Sequence, residues 1–358
     1  MLTSEGLKTR ARELGFDLCG VAPVAAFPEL SFLRTWLERG FGGTMGYLPR
    51  SAKRRADVRR ALPSVRSVIM VGAVYNTRHA YSTGRDDRSV GEVARYAWSD
   101  DYHAVLGSRL DSLLAWMRER SPAPFEALAY VDTGPVQERV YAQYAGLGWI
   151  GKNSCLINPE IGSWVLLGAI LSSLPLDADV PGVDQCGTCT LCLEACPTQA
   201  FVEPHVLDAT RCVSYLTVEY RGSIPEQHRA AIGNHIFGCD VCQEVCPWNG
   251  QAVTTADPSW SSRDDVNLAS LIDLWRRSDR ELEAFIGSTP MTRTGVRGLR
   301  RNLAVALGNS GDPRALDALR APADASAADP VVAEHVTWAQ SRLSGADAAA
   351  SPVPSTQS

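Results

Sequence analysis

Eight of the ten cysteines fall between residues 186 and 246, at spacings typical of thiolate ligands to a metal. The first run, "CGTCTLCLEACP" at 186–197, has the pattern CxxCxxCxxxCP. The second, "GCDVCQEVCP" at 238–247, lacks the first cysteine of that pattern. Structural zinc also tolerates CxxC pairs, but zinc sites rarely need a third cysteine at this spacing followed by CxxxCP. The pattern therefore favours two iron-sulfur clusters over zinc.

In two-cluster ferredoxins the fourth cysteine of such a run ligates the other cluster. This crossing predicts one [4Fe-4S] cluster on Cys186, Cys189, Cys192 and Cys246. It predicts the second on Cys196, Cys239, Cys242 and Cys212, the last being the remaining cysteine of the segment. Cys19 and Cys155 stand alone in apolar surroundings, so we expect them to be buried side chains without a metal.

Strand-like and helix-like segments alternate before the cysteines and predict an α/β (or α+β) domain over residues 1–175. The strand-like segments are 67–76, 125–132 and 164–171, and the helical stripe comprises Leu106, Leu110, Leu113, Leu114 and Met117. Residues 176–262 are rich in Cys, Pro and Gly and short of apolar periodicity. This composition predicts a ferredoxin-like domain in which clusters replace a hydrophobic core.

Residues 263–345 return to a helical pattern. Asp312-Pro313 and Asp329-Pro330 are each typical of an N-cap followed by the first helical turn, and Gly308-Asn309 is a candidate stop between helices. Apolar positions recur with a period of about 33 residues, which predicts HEAT-like helical repeats. The remaining residues, 346–358, have the composition of a disordered tail.

The formal net charge of −5 gives no general attraction to nucleic acid, so any such binding must use local basic patches. Two candidates are "KRRADVRR" at 53–60 and "RTGVRGLRR" at 293–301. No apolar run approaches the roughly 18 residues of a membrane span, and the start lacks the apolar stretch of a signal peptide. We therefore expect a cytoplasmic protein.

Three further motifs allow more than one interpretation. "GLGWIGK" at 146–152 has GxGxxG spacing, but a helical segment precedes it and a strand-like one follows. We therefore interpret it as a turn whose amides could hold a polar cofactor edge, not as a nucleotide fingerprint. His103 in "DYHAVLG" departs by one residue from a cobalt-ligand motif, which favours a role at the start of a helix. Asp132 ends a strand, where it could face a ligand or only form a turn before a helix at Val136.

Taken together, "YVDTGPVQERVYAQYAGLGWIGKNSCLI", the crossed cysteine runs and the HEAT-like segment resemble the epoxyqueuosine reductase family over nearly the whole chain. The resemblance implies an oxidoreductase in which the α/β and cluster domains enclose cobalamin and two [4Fe-4S] clusters supply electrons. A tRNA anticodon loop would present the epoxide at the wobble position. It also implies a low-potential electron donor, and we expect a monomer.

The same resemblance assigns site residues. Asp132 corresponds to the proton donor at the cofactor, and the other cobalamin contacts correspond to Arg55, Lys152, Leu156 and Ser214. Ala94 stands where some members have a cysteine, which puts a thiol role beside the cobalt in doubt. The basic run then becomes a candidate tRNA contact through Arg293, Arg297, Arg300 and Arg301.

Removal of an epoxide oxygen to leave an alkene takes two electrons and two protons and releases water. An acid at Asp132 suits this reaction, and burial against the cofactor should raise its pKa. Two other functions fit parts of the sequence: a cobalamin reductase of the reductive dehalogenase type, and a non-catalytic electron-transfer or tRNA-binding iron-sulfur protein.

Overall fold

A computed structural model describes residues 2–263, 266, 268–321, 324 and 328–345. Within them the strands are β1 Leu18–Pro23, β2 Ser67–Val74, β3 Glu92–Val93, β4 Ala127–Tyr130, β5 Trp149–Ile150, β6 Leu156–Ile157, β7 Val165–Ser172, β8 Phe201–Glu203, β9 Val206–Leu207 and β10 His235–Phe237. The α-helices are α1 Ser4–Glu13, α2 Pro28–Glu38, α3 Tyr47–Arg55, α4 Tyr102–Arg120, α5 Glu138–Tyr144, α6 Leu191–Glu194, α7 Glu226–Ile232, α8 Val241–Glu244, α9 Leu271–Arg276, α10 Asp279–Ile286, α11 Gly295–Ser310, α12 Pro313–Arg320 and α13 Pro330–Leu343. The predicted tail, 346–358, lies outside the described residues.

The chain divides into two compact units. Unit 1 comprises residues 1–84, 95–212 and 240–262, and unit 2 comprises 85–94, 213–239 and the described part of 263–358. The cysteine-rich segment 176–262 contributes to both units, so the three predicted domain boundaries stay predictions. In the part of the chain that the structure describes, no helix is long and apolar enough to cross a membrane.

Unit 1 is built on a four-stranded sheet in the order β1-β2-β7-β4, with every neighbouring pair antiparallel. All eight residues of β2 are buried because both faces of the sheet are covered. Ile69 and Val71 pack with residues of α1 and α4, whereas Val68 and Met70 pack with residues of α5. The three predicted strands correspond to β2, β4 and β7, and the mixed α/β class is confirmed in its antiparallel, α+β form.

The helix α4 carries the predicted apolar stripe, and all five of its stripe residues are buried. Asp101 is its N-cap: the carboxylate accepts the backbone N–H of His103. His103 therefore lies in the first turn, capped by its neighbour. Strand β4 ends at Tyr130, and Asp132 lies in the connection between β4 and α5. These two elements position the candidate acid.

Unit 2 surrounds α11, which is buried from Gly298 to Asn309. Asp312 and Asp329 cap α12 and α13 through their side chains, each with Pro at the first helical position, as predicted. The predicted stop at Gly308-Asn309 is wrong: α11 continues to Ser310 and ends at Gly311, which has φ +67°. Gly308 serves close packing, since a Cβ there would lie 2.9 Å from the Cα of Ala339 in α13.

Candidate active site and cluster sites

Four predicted ligand cysteines line one cavity in unit 1, namely Cys186, Cys189, Cys192 and Cys246. The structure thus brings the last cysteine of the second run to the first three of the first run, as the crossed pattern predicts. The remaining lining residues are Lys152, Asn153, Ile157, Pro247 and Trp248. Among the described residues, no three His, Cys, Asp or Glu side chains lie close enough together to hold a single metal ion. The four thiols therefore line a space instead of meeting at one point.

Burial controls the protonation of these thiols. Together with repulsion from the neighbouring thiols, it raises the pKa of Cys192 to about 11, and it also raises the pKa of Cys246. Without metal, both thiols are therefore protonated near neutral pH. Because iron binds thiolates, assembly of a cluster in this cavity must release protons.

Two groups beside the thiols suit a negatively charged cluster. The indole N–H of Trp149 points at the Sγ of Cys186 across 3.5 Å. The ammonium group of Lys152 donates to the backbone carbonyls of Gly187 and Cys189 at 2.7 and 2.9 Å. Hydrogen bonds to the sulfurs and nearby positive charge both stabilise cluster charge. The residues of the cavity therefore fit a [4Fe-4S] cluster.

The second predicted ligand set is divided between the units. Unit 1 contains Cys196, Cys212 and Cys242, whereas Cys239 is the last residue of the unit 2 stretch 213–239. The Sγ of Cys196 accepts the backbone N–H of Ala200 at 3.3 Å. Cys155, expected to be a buried side chain without a metal, is hydrogen-bonded to the thiol of Cys242. The sequence offered no signal for this contact, since Cys155 lies about ninety residues earlier in the chain.

Asp132 occupies an anchored turn. Its φ of +55° lies in the left-handed region, which is uncommon for residues other than glycine. Its backbone N–H donates to a carboxylate oxygen of Glu138 at 2.8 Å, and its own side chain is 65% exposed. The alternative of a helix starting at Val136 is wrong, because α5 starts at Glu138 with Gln137 as its N-cap. The Asp132 carboxylate is therefore free of a capping role and faces solvent.

Two aromatic side chains of α4 face this carboxylate. The hydroxyl of Tyr102 donates to Oδ2 of Asp132 at 3.2 Å, and Nε2 of His103 lies 3.7 Å from the same oxygen. The other ring nitrogen of His103, Nδ1, is 2.7 Å from Oδ1 of Asp101. The imidazole therefore lies between two carboxylates.

This arrangement reverses the pKa that we predicted for Asp132. The facing imidazole of His103 is the largest influence and lowers the pKa of Asp132. The pKa of His103 is raised, first by Asp132 and also by Asp101. The carboxyl group with the raised pKa is Glu138, at about 7, because desolvation and then the charge of Asp132 disfavour its ionised form. The prediction of a raised pKa for Asp132 did not take account of His103 in α4.

The predicted cobalamin contacts belong to several elements of the chain. The guanidinium of Arg55 donates to the carbonyl of Val136 at 3.0 Å, and Lys152 borders the four-thiol cavity as described above. Leu156 is a buried residue of β6. Ser214 is half-buried and belongs to unit 2, at the start of a short helical turn over 215–219.

Backbone amides of the glycine-rich turn at 146–152 form hydrogen bonds within the protein. As expected, α5 precedes it and β6 follows it, which is unlike a nucleotide fingerprint. The backbone N–H groups of Ile150 and Gly151 donate to the side chain of Gln143 and the carbonyl of Cys155 at 2.9 and 2.8 Å. These two amides are therefore not available to a cofactor, and for the rest of the turn the interpretation stays a prediction. Gly148, at φ +151°, allows close approach, since a Cβ would lie 2.1 Å from the carbonyl oxygen of Ile157.

Two of the four predicted tRNA-binding arginines, Arg300 and Arg301, are buried in unit 2, with 0% and 1% of their surface exposed. Arg300 donates to two backbone carbonyls and a carboxylate, those of Trp275, Arg277 and Asp279. Arg301 donates to the backbone carbonyls of Leu216, Tyr220 and Gly222 and to the side chain of Asn302. The prediction of phosphate contacts is wrong for this pair, because α11 turns both guanidinium groups into the protein.

The other two arginines of the run stay accessible. The side chains of Arg293 and Arg297 are 53% and 45% exposed. Each is paired with a carboxylate, Arg293 with Glu219 at 2.9 Å and Arg297 with Asp329 at 2.8 Å. A phosphate would have to compete with these carboxylates.

Comparison with known proteins assigns the family. A model described as epoxyqueuosine reductase QueG, DUF1730, matches residues 55–133, and a model of a 4Fe-4S double cluster binding domain matches residues 185–249. The epoxyqueuosine reductase of Xanthomonas campestris is 42% identical over 337 residues, 93% of this chain and 94% of that protein. This chain belongs to the epoxyqueuosine reductase family. The epoxyqueuosine reductase of Escherichia coli is 36% identical, over 94% of this chain and 88% of that protein.

Solved epoxyqueuosine reductases share the fold. One, crystallised with an epoxyqueuosine-modified tRNA-Tyr stem loop, has a TM-score of 0.85 at 32% identity, over 95% of this chain and 89% of that chain. The enzyme from Bacillus subtilis, solved with its aspartate catalytic loop swung out of the active site, has a TM-score of 0.84 at 30% identity, over 96% and 91%. The predicted family, the mixed α/β fold and the double-cluster segment are therefore confirmed.

Four residues of this site were missed by sequence reasoning. Glu138 anchors the Asp132 turn, Tyr102 donates to the Asp132 carboxylate, Trp149 donates toward a cluster thiol, and Asp101 supports His103. Asp101 and Tyr102 were visible in the sequence as residues of "DYHAVLG", a motif that we weighed as a possible cobalt ligand and as the start of a helix. The other two contacts depend on tertiary packing and leave no local pattern.

Proposed function

We propose that this chain reduces epoxyqueuosine to queuosine at the wobble position of tRNA anticodons, with Asp132 as the proton donor. Family membership gives the reaction class, an oxidoreductase acting on epoxyqueuosine. The structural observation that carries the proposal is the exposed Asp132 carboxylate, fixed by Tyr102 and anchored by Glu138 in the unit that also contains the four-thiol cavity. An acid and a source of electrons are what this reduction requires.

The electron path consists of two [4Fe-4S] clusters. The first uses the four cavity thiols, Cys186, Cys189, Cys192 and Cys246. The second uses Cys196, Cys212, Cys239 and Cys242, by the crossed ferredoxin pattern. The match of a double-cluster model to residues 185–249 supports both sets. A low-potential donor protein supplies the electrons.

Cobalamin is the second proposed cofactor, held by the cobalamin domain predicted over residues 1–175. When bound, it supplies low-valent cobalt, a strong reductant or nucleophile for the epoxide carbon. Two buried polar atoms of unit 1, Oδ1 of Asn76 and Nε of Arg95, find no hydrogen-bond partner among the residues that the structure describes. A bound group with amide side chains can satisfy such atoms. The proposed contacts are Arg55, Lys152, Leu156 and Ser214.

Asp132 acts on the oxygen that leaves. Cleavage of the C–O bonds builds negative charge on this oxygen, and a carboxylic acid within reach can neutralise it by donating its proton. Tyr102 restricts the carboxyl group through its hydroxyl, and the hydrogen bond from the Asp132 backbone to Glu138 holds the strained turn. Each product water molecule contains the epoxide oxygen and two protons.

The tRNA is the macromolecular substrate, in line with the solved relative that holds an epoxyqueuosine-modified stem loop. We propose that HEAT-like repeats over 263–345 offer Arg293 and Arg297 to its backbone, and that the exposed basic residues of 53–60 offer a second contact. Phosphate contacts of this kind position a nucleic acid without reading its sequence. Recognition of the modified base therefore belongs near Asp132.

The test replaces Asp132 with asparagine, which has nearly the same shape as aspartate but is not an acid. Asp132→Asn should lower single-turnover formation of queuosine in a modified stem loop by about a hundredfold or more, because the amide has no proton to donate. Iron content and stem-loop affinity should be unchanged. Asp111→Asn, on the exposed face of α4, is the matched control and should keep parental turnover.

Parental turnover in Asp132→Asn would remove Asp132 from the chemistry. If the variant also lost iron or stem-loop binding, its role would be structural. A parent protein that binds the stem loop, carries both clusters and forms no queuosine with any reductant would instead support a non-catalytic electron-transfer module.

A further inference from the structure

In unit 1, a chain of polar groups leads from Asp132 through His103 to Asp101. Oδ2 of Asp132, Nε2 and Nδ1 of His103 and Oδ1 of Asp101 follow one another at 3.7 and 2.7 Å. About a third of the His103 side chain is exposed, so solvent reaches the ring. The imidazole can therefore exchange protons with both water and Asp132.

We infer that His103 stores the proton that Asp132 delivers to the epoxide oxygen, and that Asp101 holds its ring in the orientation for this transfer. The inference rests on the proposed function and extends it by one step, from the acid to the source of its proton. Asp132 is the catalytic residue in this scheme. His103 and Asp101 act through it.

The proton balance needs such a source. One turnover converts an epoxide, two electrons and two protons into an alkene and one water molecule, and two C–O bonds break. The clusters supply the electrons. Asp132 carries one proton at a time, so it must be loaded twice for each product if it supplies both protons. The imidazolium of His103 passes its Nε2 proton to the Asp132 carboxylate, and solvent then reprotonates the ring.

The surrounding charges agree with the proton residing on His103 between turnovers. The pKa of His103 is raised by both carboxylates that it faces, and the pKa of Asp132 is lowered by the imidazole. The other titratable groups at the turn are Tyr102, whose hydroxyl stays protonated, Glu138 beneath the Asp132 amide, and Arg139. A neutral acid at Asp132 is therefore formed by transfer from its neighbour and not by simple titration.

The Nε2–Oδ2 distance of 3.7 Å exceeds that of a formed hydrogen bond. Catalytic hydrogen bonds are often long before substrate binds and shorten in the complex. Because the relative from Bacillus subtilis has an aspartate catalytic loop that swings, a shift of less than 1 Å is a small demand on the Asp132 turn.

A purely structural role for His103 can be separated from proton storage. The cap of α4 uses the backbone N–H of His103, which remains when the ring is replaced. His103→Gln keeps this N–H and a polar side chain but cannot carry a proton. His79, an exposed histidine of the same unit, provides the matched control, His79→Gln.

The experiment measures single-turnover queuosine formation against pH with the reduced holoenzyme and a modified stem loop. In the parent and in His79→Gln, the rate should fall as pH rises through the pKa of the imidazolium. In His103→Gln this descending limb should disappear, and the rate at neutral pH should be lower by about tenfold or more. A parental rate and a parental pH profile in His103→Gln would overturn the inference.

A second measurement does not depend on turnover. Among the six histidines, the ring resonance that is missing in His103→Gln identifies His103, and its NMR titration midpoint should fall in Asp132→Asn. An unchanged midpoint would show that the two groups do not share a proton. If Asp132→Asn is inactive while His103→Gln is parental in both measurements, the proposed function stands and only this inference fails. Full turnover in Asp132→Asn would instead overturn the proposed acid itself.

Discussion

The cysteine run at 186–196 and the arginine run at 293–301 are both short, chemically distinctive segments, yet the structure treats them differently. Three cysteines of the first run line one cavity together with Cys246 from the second run. In the arginine run, Arg300 and Arg301 are buried, whereas Arg293 and Arg297 remain about half exposed. In the first run, spacing grouped cysteines that the structure brings together; in the second, only part of the predicted contact residues are accessible.

The difference lies in what fixes the spacing. A cluster dictates the distances between its thiolates, so a ligand pattern in sequence carries geometry directly. A phosphate backbone imposes no such spacing on arginines, and a helix turns successive side chains by about 100°. In α11, one arginine therefore meets solvent while another faces the packed interior. Residue type without a geometric constraint predicts charge, but it does not predict exposure.

The largest expected effect tests the buried arginines. Arg301→Met should lower the free energy of unfolding by about 3–5 kcal/mol, because it leaves several buried carbonyl acceptors without a donor. Burial lowers the pKa of Arg301 to about 10, which still leaves it charged at neutral pH. Arg297→Met, at an exposed ion pair, should cost less than about 1 kcal/mol. Anaerobic urea unfolding measures both, and equal effects would erase the distinction between the two positions.

A second buried group in unit 2 should make stability depend on pH. Nε2 of His335 accepts the N–H of Ile224 at 3.1 Å, and Nδ1 faces the carbonyl of Val331. Burial is the main cause that lowers the pKa of His335 to about 4, and nearby Arg229 and Arg301 add to it. The folded protein therefore resists protonation, while the unfolded chain accepts a proton near its ordinary pKa of 6.5.

Stability from His335 is fully present above pH 6.5 and is lost as pH falls from 6.5 toward 4. The total loss is about 3 kcal/mol, of which about 2 kcal/mol should appear between pH 7.5 and pH 5. His335→Gln removes the titration, so the stability of the variant should fall less over this interval than that of the parent. Parallel pH profiles for the two proteins would show that His335 protonates equally well in the fold.

For the cysteine run, we predict a change in the reduction potential of the cluster bound by Cys186. Trp149→Phe removes the N–H donor to Cys186 but keeps an aromatic ring against Trp248, whose centroid lies 5.0 Å away. Because a hydrogen bond to a ligand sulfur stabilises the more negative, reduced cluster, its loss should lower the reduction potential. We expect at most about a tenfold change in the reduction constant, 59 mV for one electron. An EPR-monitored redox titration reads both clusters, and the second cluster should not move.

Some strands of the sheet could be predicted from the sequence and others could not, for physical reasons. β2 and β7 are long apolar runs buried on both faces, and both were found from sequence. β1 was missed, because "LCGVAP" is a short edge strand that contains Gly and Pro. At Gly20 of this strand a Cβ would lie 2.0 Å from the carbonyl of Ala145, a close approach that only tertiary structure reveals.

The candidate site shows the same limit. Asp132 was found from its place after a strand and from the family resemblance. Its electrostatics were predicted with the wrong sign because the deciding partner, His103, comes from α4 and lies 29 positions earlier in the chain. Pairwise side-chain contacts across elements set pKa values, and no local pattern encodes them.

The smallest expected effect concerns the exposed arginines and the tRNA. A protein that neutralises one phosphate on a single strand changes the slope of log affinity against log salt by about 0.7. Arg293 and Arg297 must first leave Glu219 and Asp329, and Asp329 also caps α13. Their net gain from phosphates is therefore reduced. Arg293→Gln/Arg297→Gln should flatten the salt slope of stem-loop binding by less than about 1.4, the value for two unhindered contacts.

The comparison pair is Lys53→Gln/Arg54→Gln, in the exposed basic residues at the end of α3. Their side chains have no carboxylate partner among the described residues, so a phosphate meets less competition there. This pair should flatten the slope more than the Arg293/Arg297 pair does. The reverse order would mean that the ion pairs of unit 2 hold the guanidinium groups in position for the RNA, instead of competing with it. Exposure and pairing in the free protein would then be a poor guide to the binding face, and the contrast between the two runs would narrow to Arg300 and Arg301 alone.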